Sequence, residues 1–355
     1  MSVPLFNLTH PPSAPESGLA MASPMTPAAR GDQAERLRLL TRAFDDAEVP
    51  PASPALIRGA VASPAPLPFC NAPVLAIASG KGGVGKSNIA LNLAIALARR
   101  GVRTTVLDAD VGVANIDVLC GINPARRLDA AFSAGTTRLR DLTIDAPGGF
   151  RLVPGSAGLS RLADLTAPQR HELIAQVCEL GDHADLLIVD TGAGVGALVT
   201  ALVAWADMSL IITTPEPTAI ADAYALIKIA VARAPRPSLR PDMHLVVNAA
   251  DSAGEAARVH ARLAGVCERF LGLSLPMAGA IAADPQLVRS VRTRCPLMLR
   301  SPGSPASLAT LALAEKVGSA LGLTLDSAPA QADSPSIFRR FLDLCRGGAA
   351  PDLRA

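Results

Sequence analysis

Aromatic side chains are scarce in this 355-residue chain: one Trp, one Tyr and eight Phe make up 3% of it. Any core must therefore be aliphatic, and with half of the residues hydrophobic there is enough to fill one. An excess of either charge is also missing. A net charge of +2 excludes a general affinity for polyanions, though not a local basic patch. No C-x-x-C pair occurs among the six cysteines, Cys70, Cys120, Cys178, Cys267, Cys295 and Cys345. Scattered this way, they read as free thiols in a reducing cytosol. No uninterrupted apolar run reaches the roughly 20 residues a spanning helix needs, and no basic-plus-apolar leader is present. These absences predict a cytoplasmic protein that can still touch a membrane surface.

Proline is unevenly spread. Residues 1–73 hold 13 of the 30 prolines, with much Ala and Ser. Such a segment cannot offset its ordering entropy by burial and reads as a mostly disordered tail. Inside it, residues 32–44 lack proline. Asp32 is a good N-cap with Glu35 three residues later, and Ala34, Leu37, Leu40 and Phe44 recur along one helical face. From Val74 the pattern changes to continuous apolar runs ("VLAIAS", "TTVLDAD", "DLLIVD", "MSLIIT", "HLVVN") separated mostly by helical stretches. Buried strands alternating with helices predict an α/β fold: a doubly wound, mostly parallel sheet with helices on both faces, over residues 74–323. Residues 324–335 read as a linker, 336–346 as an amphipathic helix and 347–355 as a disordered end. On that helix Ile337, Phe338, Phe341, Leu342 and Cys345 fill one side, and Arg339, Arg340, Asp343 and Arg346 the other. Cationic flanks around phenylalanines suit an anionic membrane surface; docking on the protein's own surface is the alternative.

The chemistry is concentrated in "GKGGVGKS", Gly80 to Ser87, which matches G-x-x-x-x-G-K-[ST] between a strand and a helix. Gly80, Gly82, Gly83 and Gly85, with Val84, let backbone N–H groups turn onto phosphates. Lys86 brings charge to the β/γ positions, and the Ser87 hydroxyl can ligate Mg²⁺, with Asn88 following. A second lysine, Lys81, has no obvious task in a monomer; a solvated loop cation is the plain reading. Asp108, Asp110 and Asp190 end strands beside this loop, where an ordinary turn cap is the alternative to chemistry.

"SGKGGVGKSN" resembles the deviant Walker A loop of the MinD/ParA ATPases. "LDADVGVANIDV" and "LIVDTGAG" resemble that family's switch I and switch II. The resemblance implies a slow ATPase that dimerises around ATP, with Lys81 reaching the partner's phosphates, a task of the arginine-finger kind. It further implies that Asp110 orients the attacking water, that Asp108 and Asp190 join Ser87 around Mg²⁺, and that Gly194 approaches the γ-phosphate. Asn248, ending "HLVVN", matches the adenine-reading asparagine. Asp284 and Pro285 fall in the segment closing over base and ribose, although Ala282 stands where the family usually has proline. No N-K-x-D element for guanine occurs, so ATP is the expected nucleotide.

Within the family, the iron-cluster branches need bridging cysteines that are not found near switch II here. "DTGAG", "TTPEPTAIADAYALIK" and above all "DQAERLR" resemble the FlhG (FleN) branch of flagellar-number regulators. There the D-Q-A-x-x-L-R helix docks on FlhF, a GTPase of the signal-recognition-particle type, and stimulates GTP hydrolysis. Carried over, Asp32, Gln33, Leu37 and Arg38 form the activator helix, with Gln33 near the partner's nucleotide. The C-terminal helix resembles the membrane-targeting tail of this branch, which implies a cytoplasmic protein reversibly held at the inner face of the cell membrane. The resemblance also admits a flagellar C-ring protein or a flagellar transcription activator as partners. Two alternatives stay open: a partition-type ATPase on DNA, for which Arg289, Arg292, Arg294 and Arg300 could form a basic surface, and a mainly non-catalytic module binding a transcription activator. A solvated helix face is the plainer account of those arginines, so no specific DNA partner is expected.

Overall fold

The computed structural model describes residues 70–326, apart from 111, 113, 134–136, 157–164 and 235–240. The expected activator helix at 32–44 and membrane helix at 336–346 lie outside the described residues.

The apolar runs become strands: β1 (Val74–Ser79), β2 (Thr104–Ala109), β5 (Leu186–Ala193), β6 (Met208–Thr213), β7 (Met243–Ala250) and β8 (Met277–Ala282). Two short strands, β3 (Ile144–Asp145) and β4 (Arg151–Val153), extend one edge. All eight form one sheet in the order β3-β4-β2-β5-β1-β6-β7-β8. Every pairing is parallel except β3 with β4. β1, β2 and β6 are buried along their whole length, which is why their sequences run apolar without alternation.

The helices are α1 (Lys86–Ala98), α2 (Ile116–Cys120), α3 (Asp129–Ser133), α4 (Ala167–Leu180), α5 (Ala197–Trp205), α6 (Pro217–Arg233), α7 (Ala253–Leu271), α8 (Pro285–Arg292), α9 (Leu297–Arg300) and α10 (Pro305–Ala320). Local signals start several of them. Thr166 and Gln169 form a capping box at α4, Ser252 caps α7, and Ser304 caps α10 ahead of Pro305. Successive β1 residues point to opposite faces, so they enter two apolar clusters. Leu75 and Ile77 pack with α1 and with Leu313 and Val317 of α10. Val74 and Ala76 pack with Leu173, Ile174 and Val177 of α4 and Leu198 and Leu202 of α5. The sheet is thus covered on both sides by helices whose sequences supply aliphatic faces.

The packed chain continues through Asp326. Leu325 lies against Gly318, and the Asp326 N–H donates to the Arg100 carbonyl at 2.9 Å. At the other end, Cys70 is bonded to Cys178 on α4 across a sequence separation of 108. The expectation that all cysteines are free thiols is thereby corrected for this pair. Spacing alone could not reveal it, because the strand order folds residue 70 back beside the end of α4. Among the described residues, Cys120, Cys267 and Cys295 form no disulfide and are buried.

One buried polar residue ties the layers near the loop. Asn92 donates to the Asn88 carbonyl at 2.7 Å and accepts from the Met298 N–H at 2.9 Å. Asn92→Ala leaves that buried N–H unpaired at a cost of about 1–3 kcal/mol. The melting temperature should fall by about 2–4 °C per kcal/mol; an unchanged melting curve would show that the bond is not needed.

Candidate functional site

The loop between β1 and α1 holds its shape for reasons visible residue by residue. Gly85 has a left-handed backbone, φ 91°, and a Cβ there would overlap the Asn248 amide. At Gly80 a Cβ would overlap the backbone of Asp222 on α6. The first glycine therefore serves close packing of loop on helix, and the last serves the turn into α1. Asn248 is buried and donates to the Val84 carbonyl at 2.8 Å, bracing the loop from β7.

The loop forms one wall of a cleft of about 640 Å³. Gly82, Gly83, Gly85, Lys86, Ser87 and Asn88 line it, and Asp110, Asn115, Gly192, Ala193 and residues 196–199 complete it, without Gly194. Its volume falls within the usual range for small-molecule sites. Gly194 stands at the end of switch II with its N–H donating to the Ser79 carbonyl at 2.8 Å.

Lys86 sits at the floor, 6% exposed, with Nζ 2.8 Å from Asp190 and 3.5 Å from Asp110. Burial works against its charge, yet Asp190, Asp110 and Asp108 hold the ammonium above its ordinary pKa. Asp190 is fully buried, and burial raises its pKa against the pull of Lys86. Its Oδ2 has no hydrogen-bond partner. Asp108 lies beside Asp190 in the β2–β5 register. Burial first, then the Asp190 charge, push its carboxyl up to about 7.

Asp108 is not among the cleft-lining residues. Its Oδ2 accepts from the N–H groups of Asn115 and Ile116 at 2.9 and 3.0 Å, and Oδ1 accepts from Asp110 N–H at 3.3 Å. The carboxylate thus ties the switch I segment and the start of α2 to β2. Asp110 points into the cleft and steadies the turn by accepting from Gly112 N–H at 3.0 Å. Asp284 is likewise engaged, accepting from Gln286 and Ala306 N–H groups at 2.8 and 3.1 Å. Those amides, opposing burial, hold its pKa below the ordinary value. Both its oxygens cap helix starts, and neither Asp284 nor Pro285 is among the cleft-lining residues.

Lys81 does not line the cleft either. Its Nζ is 2.6 Å from Glu216 and 2.9 Å from Thr218 at the start of α6, and its side chain is 37% exposed. Sequence reading missed Glu216 and Thr218. The available signal was a carboxylate at the end of an apolar strand run, in "TTPEP". It also missed the buried Asp117, which pairs with Arg127 at 2.6 Å.

A parallel sheet, a glycine-rich loop opening a helix, and a buried lysine among aspartates at the strand ends define a P-loop nucleoside triphosphatase. The ParA family profile, described as "NUBPL iron-transfer P-loop NTPase", matches residues 72–318, so the chain belongs to the ParA/MinD family of P-loop ATPases. It is similar to antiactivator FleN of Pseudomonas aeruginosa, 40% identical over 246 residues that cover 69% of this chain and 86% of that one. It is also similar to flagellum site-determining protein YlxH of Helicobacter pylori, 35% identical over 225 residues, 63% of this chain and 74% of that one. Its fold matches the septum site-determining protein MinD from Pyrococcus horikoshii OT3, complexed with Mg-ADP. The TM-score is 0.57 at 19% identity, over 69% of this chain and 96% of that one. That last likeness concerns the fold alone.

The raised Asp108 carboxyl gives a pH prediction for the nucleotide-free protein. Folded Asp108 keeps its proton up to about pH 7, whereas the unfolded chain releases it near 3.8. Its contribution to stability is therefore present at low pH and lost as pH rises from about 4 to 7. Melting temperatures of wild type and Asp108→Asn across that window should diverge, with wild type losing more; parallel curves would contradict the assignment.

Proposed function

We propose that this chain is an ATP-dependent, dimerising, membrane-cycling ATPase of low turnover that regulates flagellar number and placement. The observation that carries the reading is the placement of Lys81. It stands outside its own cleft, held by an exposed ion pair to Glu216 and by Thr218. An ion pair this exposed contributes little, so exchanging Glu216 for phosphates of a partner's ATP costs little. Lys81 then acts in trans on the transferring phosphoryl charge.

Within one cleft, Lys86 holds the β/γ-phosphates, the glycine amides cradle them, and Asp110 positions the attacking water. Asp108 keeps switch I in reach of that water. Asn248 and the segment around Asp284 and Pro285 serve the base and ribose. Mg²⁺ fits the residues present: the Ser87 hydroxyl and the buried Asp190 carboxylate, whose Oδ2 has no hydrogen-bond partner, would hold it together with phosphate oxygens. Among the described residues no three His, Cys, Asp or Glu could hold an ion by themselves. When bound, Mg²⁺ neutralises phosphate charge.

The flagellar assignment rests on similarity to FleN and YlxH and on the "DQAERLR" stretch. In this reading Asp32, Gln33, Leu37 and Arg38 dock on an FlhF-type GTPase and accelerate it. ATP brings two C-terminal segments together, and Ile337, Phe338, Phe341 and Leu342 of each copy reach the inner membrane face with the avidity of a pair. Among the described residues, no helix is long and apolar enough to cross a membrane. A flagellar transcription activator or a C-ring protein is a further partner of this reading. The exposed Arg289, Arg292 and Arg294 near α8 favour one other reading, a partition-type ATPase on duplex DNA.

A synthetic peptide of residues 30–46, added to the same organism's FlhF-type GTPase, should speed GTP turnover several-fold, and a Gln33→Ala peptide should not. Equal turnover with and without peptide would remove the flagellar branch and leave the ATPase reading standing.

A further inference from the structure

Cys70 and Cys178 are the two sulfurs of this fold that meet near its surface. Cys70 lies four residues before β1 and is half-buried; Cys178 lies in the last turn of α4. Their Cα atoms are 4.5 Å apart. The segment between Cys70 and β1 is seated on the end of α4 by independent contacts. Asn71 Nδ2 donates to Asp182 Oδ1 at 2.7 Å. Ala72 is buried against Gly181, where an added Cβ would come within 3.1 Å of the Ala72 nitrogen. The Pro73 carbonyl accepts from Leu187 N–H, and Val74 N–H donates to Asp207 Oδ2 at 2.7 Å. Of these contacts, those of Asn71 and Ala72 reach the end of α4 without the disulfide, and those of Pro73 and Val74 fix the start of β1.

We propose that Cys70 and Cys178 form a reversible thiol–disulfide modification site, opened and closed by exchange with a low-molecular-weight thiol and its disulfide, which locks the root of the N-terminal arm onto α4. In closing, a Cys70 thiolate attacks the small disulfide, forming a mixed disulfide and releasing one small thiol. The Cys178 thiolate then attacks Cys70 Sγ and releases the second. Two protein thiols are oxidised, one small disulfide is reduced, and two protons pass to the two released thiolates. Opening is the reverse.

The other described cysteines are unsuited to this exchange. Cys120, Cys267 and Cys295 are buried. Burial pushes the Cys267 thiol up to about 12, and burial with the nearby Asp117 pushes Cys120 higher still. Neither supplies thiolate at neutral pH. Cys70, half-buried, is more open to an exchanging thiol than these three. Leu173, Ile174 and Val177 of α4 pack in the same cluster as Leu107 and Ala109 of β2, the strand bearing Asp108.

The test uses the full chain with Cys345→Ser, so that the tail thiol does not compete. The protein is equilibrated in buffers of stepped reduced-to-oxidised glutathione ratio. Thiols are then alkylated under native conditions and read by mass spectrometry. Cys70 and Cys178 should be protected together, through a single transition and in a peptide linked by a disulfide. The melting temperature should be higher in the oxidised protein by about 5 °C or more, because the bond closes a long loop of the unfolded chain. Cys70→Ser should abolish that difference while leaving the fold intact, judged by circular dichroism. Alkylation of both cysteines at every ratio, a glutathione adduct on Cys70 alone, or identical melting of oxidised and reduced protein would overturn the proposal.

Discussion

The buried pair of Lys86 and Asp190 is the constraint around which the rest is arranged. A lysine 6% exposed and an aspartate with no exposure face each other at 2.8 Å. Neither charge is tolerable there without the other. Their positions follow from the sheet. β1 delivers the loop that ends in Lys86, and the adjacent β5 delivers Asp190, because β1 and β5 pair in parallel and end at the same edge. β2, paired to the other side of β5, brings Asp108 and then Asp110 to that edge. Three carboxylates stand around one ammonium, and burial first, then the Asp190 charge, push Asp108 up to about 7.

The two lysines of the loop stand in different surroundings. Lys86 is buried and paired with Asp190 and Asp110. Lys81, five residues earlier, turns outward and rests on Glu216 and Thr218 at the rim. The same glycine-rich backbone thus presents one fixed and one exchangeable cation. Switch I is bound into this through Asp108, whose oxygens hold the Asn115 and Ile116 amides. Any change at the floor that alters the charge of Asp108 also alters its grip on switch I.

What could be read from the sequence follows physical range. The loop was legible because its chemistry depends on spacing within eight residues. Five of the six long strands, β1, β2, β5, β6 and β7, were legible because their burial demands largely apolar runs. β3 and β4, two and three residues long, carry no such run and could not be seen. Long-range contacts were also invisible. The Lys81–Glu216 pair spans 135 positions, and the Cys70–Cys178 bond spans 108. Neither follows from any local pattern. Asp108 and Asp284 show a subtler limit. Each stands at a strand end where chemistry and capping are both sensible, and the structure spends Asp284 entirely on caps. The stretches at 32–44 and 336–346 stand on sequence pattern and resemblance alone.

The account turns on Lys81 being a residue for the partner's nucleotide rather than its own. The most direct measurement is the mass in solution of the full chain, by light scattering, with a slowly hydrolysed ATP analogue and with ADP. The wild-type chain should double in mass with the analogue and stay monomeric with ADP. Lys81→Ala should stay monomeric with both while binding nucleotide normally. A Lys81→Ala chain that dimerises as the wild type does would contradict the account at its centre.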